Sequence, residues 1–397
     1  MPKTSPALSA ILPPLICGTG TFNSQYNPDP YTLPTTGIVH KALALGVRAF
    51  DTSPYYGPAE ELLGQALDTT FVHENFPRDE YFILTKVGRI ALSEFDYSAS
   101  WVRQSIARSL KRLRTKYLDV VYCHDVEFVS AEEVLEAVTE LRRIRDETGV
   151  VKYIGISGYP VKVLCDLADL IKSKTGEPLD AVMSYANYTL QNTRLLSEAL
   201  PRLKAGEVDV VPNASVLGMG LLRRDGVPIG GQGDFHPSPE GLRSAIKKAS
   251  DWCDEHGDRI EKVAIRYALE SWMLEGKEVG SSGDPASGVP WKRESIDDLS
   301  VRKLGVSLMG VSNLEELEET IKVWKSILDG LEGGEQSGVN SGGESNDRIW
   351  SLARKEEIQK LAGGIKQEMG EWVDYIWPSP GPGYVNKREK SVARTPS

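Results

Sequence analysis

Nowhere in this chain do about 18 apolar residues run together, the length a helix needs to cross a bilayer, so a membrane-spanning segment is excluded. The opening MPKTSPALSAILPPL has too short an apolar run for a secretory signal, and a cytoplasmic location is expected. Cysteine is scarce. Cys17, Cys123, Cys165 and Cys253 lie far apart with no CxxC pair, which argues against a zinc site or a disulfide framework and leaves reduced thiols. Positive charge is short too: 46 Lys and Arg against 56 Asp and Glu give a formal net charge of −10, so neither nucleic acid nor an anionic membrane is the expected partner. A dinucleotide fingerprint is also missing, because GTGTFN at 18–23 fails at the third glycine of GxGxxG.

What remains is a 397-residue chain, long enough for one α/β barrel of roughly 250 residues with additions. Short β-branched runs alternate with helical periodicity, the pattern of parallel βαβ units. The strands read as PLICGTG (14–20), VRAFDTS (47–53), YFILTKV (81–87), LDVVYCH (118–124), VKYIGIS (151–157), DAVMSYA (180–186), VDVVPNA (208–214) and VSLMGVS (306–312). Helices are expected at 35–45, 59–69, 98–115, 131–148, 160–174, 192–205, 240–275 in two pieces, and 314–328. Within 98–115, Val102, Ile106, Leu110 and Leu113 share one stripe that seeks a sheet. Ser130 and Glu133 form a capping box at the start of the next helix. Eight such pairs with short connections fit a closed (β/α)8 TIM barrel better than an open doubly wound sheet.

The expected organisation is a barrel over 1–329, interrupted by a long polar loop at 276–300. A Gly, Ser and acid-rich linker follows at 330–348, then a helical extension at 349–377 and a loose tail at 378–397. The sequence carries no signal for an oligomeric state.

Chemistry in such barrels sits at the C-terminal strand ends. Asp51 ends the second strand, Lys86 the third and His124 the fourth, while Tyr56 follows Asp51 by five residues in FDTSPYYG. Singly, each has an ordinary reading: a rim charge, a core histidine, a helix cap. Jointly they form a proton-transfer device. A phenol ionises near 10 and is a poor base at neutral pH. A lysine ammonium beside it would lower that value, and a carboxylate would keep the lysine charged and in place. A neutral imidazole can orient a substrate oxygen.

FDTSPYYG, ILTK and VVYCHD resemble the Asp, Tyr, Lys and His tetrad of the aldo-keto reductase superfamily, over most of residues 12–328. The resemblance implies a (β/α)8 barrel that binds NAD(P)(H) at its mouth and moves hydride between nicotinamide and a carbonyl or alcohol carbon. It assigns Tyr56 as general acid/base, Lys86 and Asp51 as the pair that tunes it, and His124 as the guide of the substrate. The family spacing selects Tyr56 over Tyr55. Expected cofactor contacts are Gly18, Thr19, Asp51, Ser157, Tyr185, Ser215, Leu217, Gly218, Ser312, Glu316 and Thr320. Three departures stand out. The family's Ser-Asn pair is Ser157 and Gly158, its glutamine is Tyr185, and its stacking tyrosine is Ala214.

Where NADP-preferring members carry Arg or Lys, this chain has Ser312, and Glu316 offers a carboxylate to a free ribose 2′-hydroxyl but repels a phosphate. NAD is therefore the expected cofactor, with NADP less favoured. DTSPYY, SYANY and ASVLGMGLL are similar to the sugar dehydrogenase branch, the fungal D-arabinose 1-dehydrogenases and plant L-galactose dehydrogenases. That implies oxidation of the anomeric hydroxyl of a free aldose (D-arabinose first, with L-galactose or L-fucose) to the aldonolactone. Asn187 is a candidate for sugar hydroxyls, and Tyr55 and Trp291 for pocket walls. A general aldehyde or pyridoxal reductase, and a low-turnover cofactor-sensing subunit, share the tetrad and stay open.

Overall fold

Eight parallel strands close into a barrel whose apolar residues divide between two clusters, Ile16, Leu84, Val120 and Tyr122 in one and Phe50, Ile83, Val121 and Ile154 in the other, as expected of strands buried on both faces. A computed structural model describes residues 6–227, 233–283, 303–331 and 346–388. The strands are β1 (Leu15–Gly18), β2 (Ala49–Asp51), β3 (Phe82–Val87), β6 (Leu118–His124), β7 (Val151–Gly158), β8 (Ala181–Tyr185), β9 (Asn213–Ala214) and β10 (Ser307–Gly310). An antiparallel hairpin, β4 (Arg89–Ala91) and β5 (Glu94–Phe95), stands over the mouth after β3. Around the barrel the order is β1, β10, β9, β8, β7, β6, β3, β2.

All eight expected strands are present: β6 has the expected bounds, β7 runs one residue longer, and the other six are trimmed at their ends. The helices are α1 (Leu8–Ile11), α2 (Thr35–Ala44), α3 (Ala59–Leu67), α4 (Thr70–Asn75), α5 (Ala99–Arg112), α6 (Ala131–Thr148), α7 (Val161–Thr175), α8 (Leu200–Ala205), α9 (Glu240–Glu255), α10 (Ile260–Glu275), α11 (Leu314–Leu331) and α12 (Asn346–Met369). Helix α5 buries Val102 and Ile106, with Leu113 just past its end, each worth roughly 1.5–3 kcal/mol against leaving it exposed. Both halves of the Ser130 and Glu133 capping box form. Leu8 and Leu12, in and beside the unforeseen α1, join the lumen cluster with Ile16, Leu84, Val120 and Tyr122.

The extension helix begins at Asn346 rather than 349, and α11 runs on to Leu331. Helix α12 buries Ile358, Leu361, Ala362, Ile365 and Met369 in the cluster that also holds α9 and α10. The loose tail expected from 378 does not hold for residues 378–388. Trp377 stacks on Tyr159 at 4.6 Å, Ser379 donates to Glu127, and Tyr384 meets the edges of Phe95 and Phe128. Asn386 bonds both backbone groups of Phe95 at 3.0 Å. A Pro and Gly-rich stretch makes no ladder of its own, but isolated anchors are enough to lay it across the mouth. Most of the 276–300 loop and of the linker, and the tail beyond 388, lie outside the described residues, as does Trp291.

Candidate active site

Strand register carries the ionisable side chains to one rim. Gly18 sits beside Asp51, Lys86 beside Tyr122, His124 beside Ser157, and Tyr185 beside Ala214. The rim opens into a cleft of about 1130 Å³ walled by Asp51, Tyr55, Tyr56, Lys86, His124 and Ser157, and reaching Ser312, Glu316 and Thr320 at its far end.

Lys86 Nζ donates to Asp51 Oδ1 at 2.6 Å and to the Thr52 carbonyl at 2.9 Å, and both side chains of this pair are almost wholly buried. The ammonium lies 4.9 Å from the centre of the Tyr56 ring, whose edge meets His124 with 5.6 Å between centroids. Burial pushes the Asp51 carboxyl up, and the Lys86 ammonium pulls it back. His124 is driven down to about 3 by burial, against the pull of Asp125, so its imidazole is neutral at working pH.

One electrostatic expectation is corrected. The Tyr56 phenol is raised well above its ordinary value, first by burial and then by the Asp51 and Asp125 carboxylates, not lowered by Lys86. The ammonium's hydrogen bonds go to Asp51 and Thr52, so its charge is largely matched before it reaches the phenol. Tyr56 is therefore a proton holder near neutrality.

Several residues unremarked in the sequence complete the site. Arg89, on the hairpin, pairs with Asp125, lies 3.8 Å over the Tyr55 ring and donates to its hydroxyl at 3.1 Å. Asp125 adopts φ 56°, a left-handed turn that swings it back beside His124. Asp125 stood inside the quoted VVYCHD and Arg89 three residues beyond ILTK, but side-chain partnership across loops has no local signature. Asn187 is a correction. It is buried, and its amide nitrogen meets Ser184 Oγ and the Tyr159 and Tyr185 carbonyls while its oxygen accepts from Asn192, so it stitches loops and does not face the cleft.

The departure at Gly158 coincides with a crowded position. A Cβ there would lie 2.5 Å from Glu127 Oε2, in a buried carboxyl pushed up to about 8 by burial and Asp125. Gly158→Asn should therefore destabilise the fold by about 1–3 kcal/mol, the usual cost of overpacking. Urea unfolding checks this, and adding Glu127→Ala should recover part of the loss; an unchanged midpoint in the single variant would show that the loop gives way freely.

Residues 14–331 match the Aldo/keto reductase family. The chain belongs to that family. Aldo/keto reductases are oxidoreductases that use NAD(P)(H). This one is 42% identical over 276 residues to a D-arabinose 1-dehydrogenase of Saccharomyces cerevisiae, covering 69% of this chain and 80% of the relative. An L-galactose dehydrogenase of Arabidopsis thaliana is 35% identical over 294 residues, covering 72% and 86%. A D-threo-aldose 1-dehydrogenase of a Pseudomonas species is 28% identical over 272 residues, covering 62% and 78%.

The cleft of this aldo/keto reductase fits a nicotinamide cofactor. Asp51 Oδ2 is buried without a partner, a ready acceptor for a ribose hydroxyl. Ser215, Gly218, Met219 and Gly220 all take positive φ, turning a loop of mostly small residues through which backbone amides can approach anionic oxygen. Gly18, Ser157, Tyr185, Ala214, Ser215 and Leu217 wall the cleft, whereas Thr19 and Gly218 do not. Thr19 is wholly buried, and its hydroxyl has no partner. Glu316 is partly committed, since its Oε2 accepts from the Ser312 amide at 2.7 Å. Among the described residues no helix is long and apolar enough to cross a membrane, and no cluster of metal-ligating side chains occurs.

Proposed function

We propose that this protein oxidises the anomeric hydroxyl of a free aldose, D-arabinose first, to the aldonolactone. The observation that carries the reading is the convergence of Tyr56, the buried Lys86 and Asp51 pair and neutral His124 on one cleft floor. Similarity to dehydrogenases of D-arabinose, L-galactose and threo-aldoses supports a sugar as substrate, with L-galactose and L-fucose as further candidates.

When bound, NAD supplies the acceptor for the hydride that leaves C1. The protein does the rest: His124 holds the anomeric oxygen, Tyr56 in its phenolate form takes the proton and becomes neutral, and Lys86, pinned by Asp51, is the nearby cation that favours that phenolate before the transfer. Tyr55, fixed by Arg89, walls the sugar side. NAD is favoured over NADP because Ser312 supplies no cation at the 2′ position and Glu316, bonded to the Ser312 amide, keeps a carboxylate there.

A panel of D-arabinose, L-galactose, L-fucose and pyridoxal, each with NAD and NADP, tests the proposal. The highest kcat/KM is expected for D-arabinose with NAD. Faster turnover of pyridoxal than of every aldose would sink the substrate reading, and equal or better kcat/KM with NADP would sink the cofactor preference.

A further inference from the structure

A closed ring of contacts surrounds the His124 imidazole. Ser53 Oγ lies 3.0 Å from His124 Nδ1 and accepts from the Tyr55 amide at 3.1 Å. Tyr55 in turn accepts from Arg89 through its hydroxyl, Arg89 pairs with Asp125, and Asp125 Oδ2 lies 3.6 Å from His124 Nε2. Ser53 is fully buried, so a hydroxyl proton left without an acceptor would carry a desolvation cost. Among the described residues, the acceptor in reach of that proton is His124 Nδ1.

We propose that Ser53 is a positioning residue that sets the tautomer of His124, holding Nδ1 as acceptor so that Nε2 carries the proton. The opposite edge of the ring agrees: an N–H facing the Asp125 carboxylate is attracted, whereas a lone pair would be repelled. At 3.6 Å the contact is too long for a hydrogen bond, so the Nε2 proton is held in direction but left free for an incoming oxygen. A histidine of the other tautomer would turn a lone pair toward the substrate's oxygen and could not donate to it. The inference rests on His124 being the group that orients substrate. It assigns to Ser53, in the loop after β2, control of a ring at the end of β6.

Two-bond proton–nitrogen correlation spectra of the 15N-histidine-labelled protein at pH 8 read the tautomer directly, without turnover. Two of the five histidines supply internal references. His236 accepts the Ser238 amide on Nδ1 and faces the Gly218 carbonyl with Nε2, so it must show the Nε2–H pattern. His256 faces the Trp252 carbonyl with Nδ1 and must show the Nδ1–H pattern.

With its signal assigned by loss in His124→Gln, His124 is expected to match His236 in the native protein, and Ser53→Ala should move it toward the His256 pattern. Ser53→Ala should also lower kcat/KM about tenfold, the rate equivalent of one net hydrogen bond, and Ser53→Thr should restore most of it. An Nδ1–H pattern for native His124, or an unmoved pattern in a folded Ser53→Ala, overturns the proposal. The native spectrum decides even if the variant does not fold. Loss of turnover in Tyr56→Phe tests the underlying enzymatic reading separately, so failure of either can be told from failure of the other.

Discussion

Tyr56→Phe will lower kcat by about 10²–10⁴, the range for losing a positioned general acid or base, while binding of NADH changes little. Fluorescence titration with NADH and steady-state kinetics read the two effects separately. The pH profile carries the sign of the Tyr56 shift. Because burial and the Asp51 and Asp125 carboxylates raise the phenol above its ordinary value, the protonated form dominates near neutrality. Oxidation needs the deprotonated form, so its rate should climb with pH toward the ordinary tyrosine value of about 10 without levelling off near 7. Reduction, which needs the protonated form, should be flat over the same range. Since His124 is driven to about 3, no inflection belonging to it is expected between pH 5 and 8. A plateau in oxidation by pH 7.5 would mean that bound cofactor or substrate lowers the phenol after all. Tyr55→Phe should be far milder, because the Tyr55 hydroxyl is occupied in accepting from Arg89.

Lys86→Met should cost about 3–5 kcal/mol of stability, the typical penalty for stranding one member of a buried ion pair, and should abolish turnover with it. Asp51 would be left in a site it barely shares with solvent, where burial raises its carboxyl and Lys86 is the cation that pulls it back. The double variant Asp51→Asn with Lys86→Met removes both charges and should regain much of that stability while remaining inactive. Urea unfolding of the three proteins with parallel kinetics separates the effects. If Lys86→Met alone unfolds at the native midpoint, the pair contributes to chemistry but not to the fold. If the double variant turns over, the pair is dispensable for chemistry.

The barrel was legible because its signals are local and repeated. Strand β6 can be read residue by residue from LDVVYCH, and the start of α6 from Ser130 and Glu133, since periodicity and capping act within one or two turns. The tetrad was legible for a related reason. Asp51 and His124 end their strands and Lys86 stands one residue before the end of β3, and in a closed parallel barrel every strand end reaches the same rim. Short elements were missed where few residues carry the pattern, as in Leu8–Ile11 and the Arg89–Phe95 hairpin.

Other features depended on which distant groups came to share a space. Asn187 looked available for sugar because an amide in a loop advertises hydrogen bonds, but its amide nitrogen and oxygen are both engaged by the packed loops. Gly158 looked like a lost cofactor contact until Glu127, from another loop, was found filling the position its side chain would need. The shift of Tyr56 ran opposite to expectation because a pKa sums burial and every nearby charge, while sequence spacing named only the nearest cation. Residue type and order thus specified the barrel, its rim and the identity of the reactive groups, because hydrophobic period and strand-end position are properties of neighbours in the chain. Folding in three dimensions settled the proton affinity of Tyr56, the ring of partners around His124 and the course of residues 377–388 across the mouth, because electrostatic and packing energies depend on distances between groups far apart in sequence.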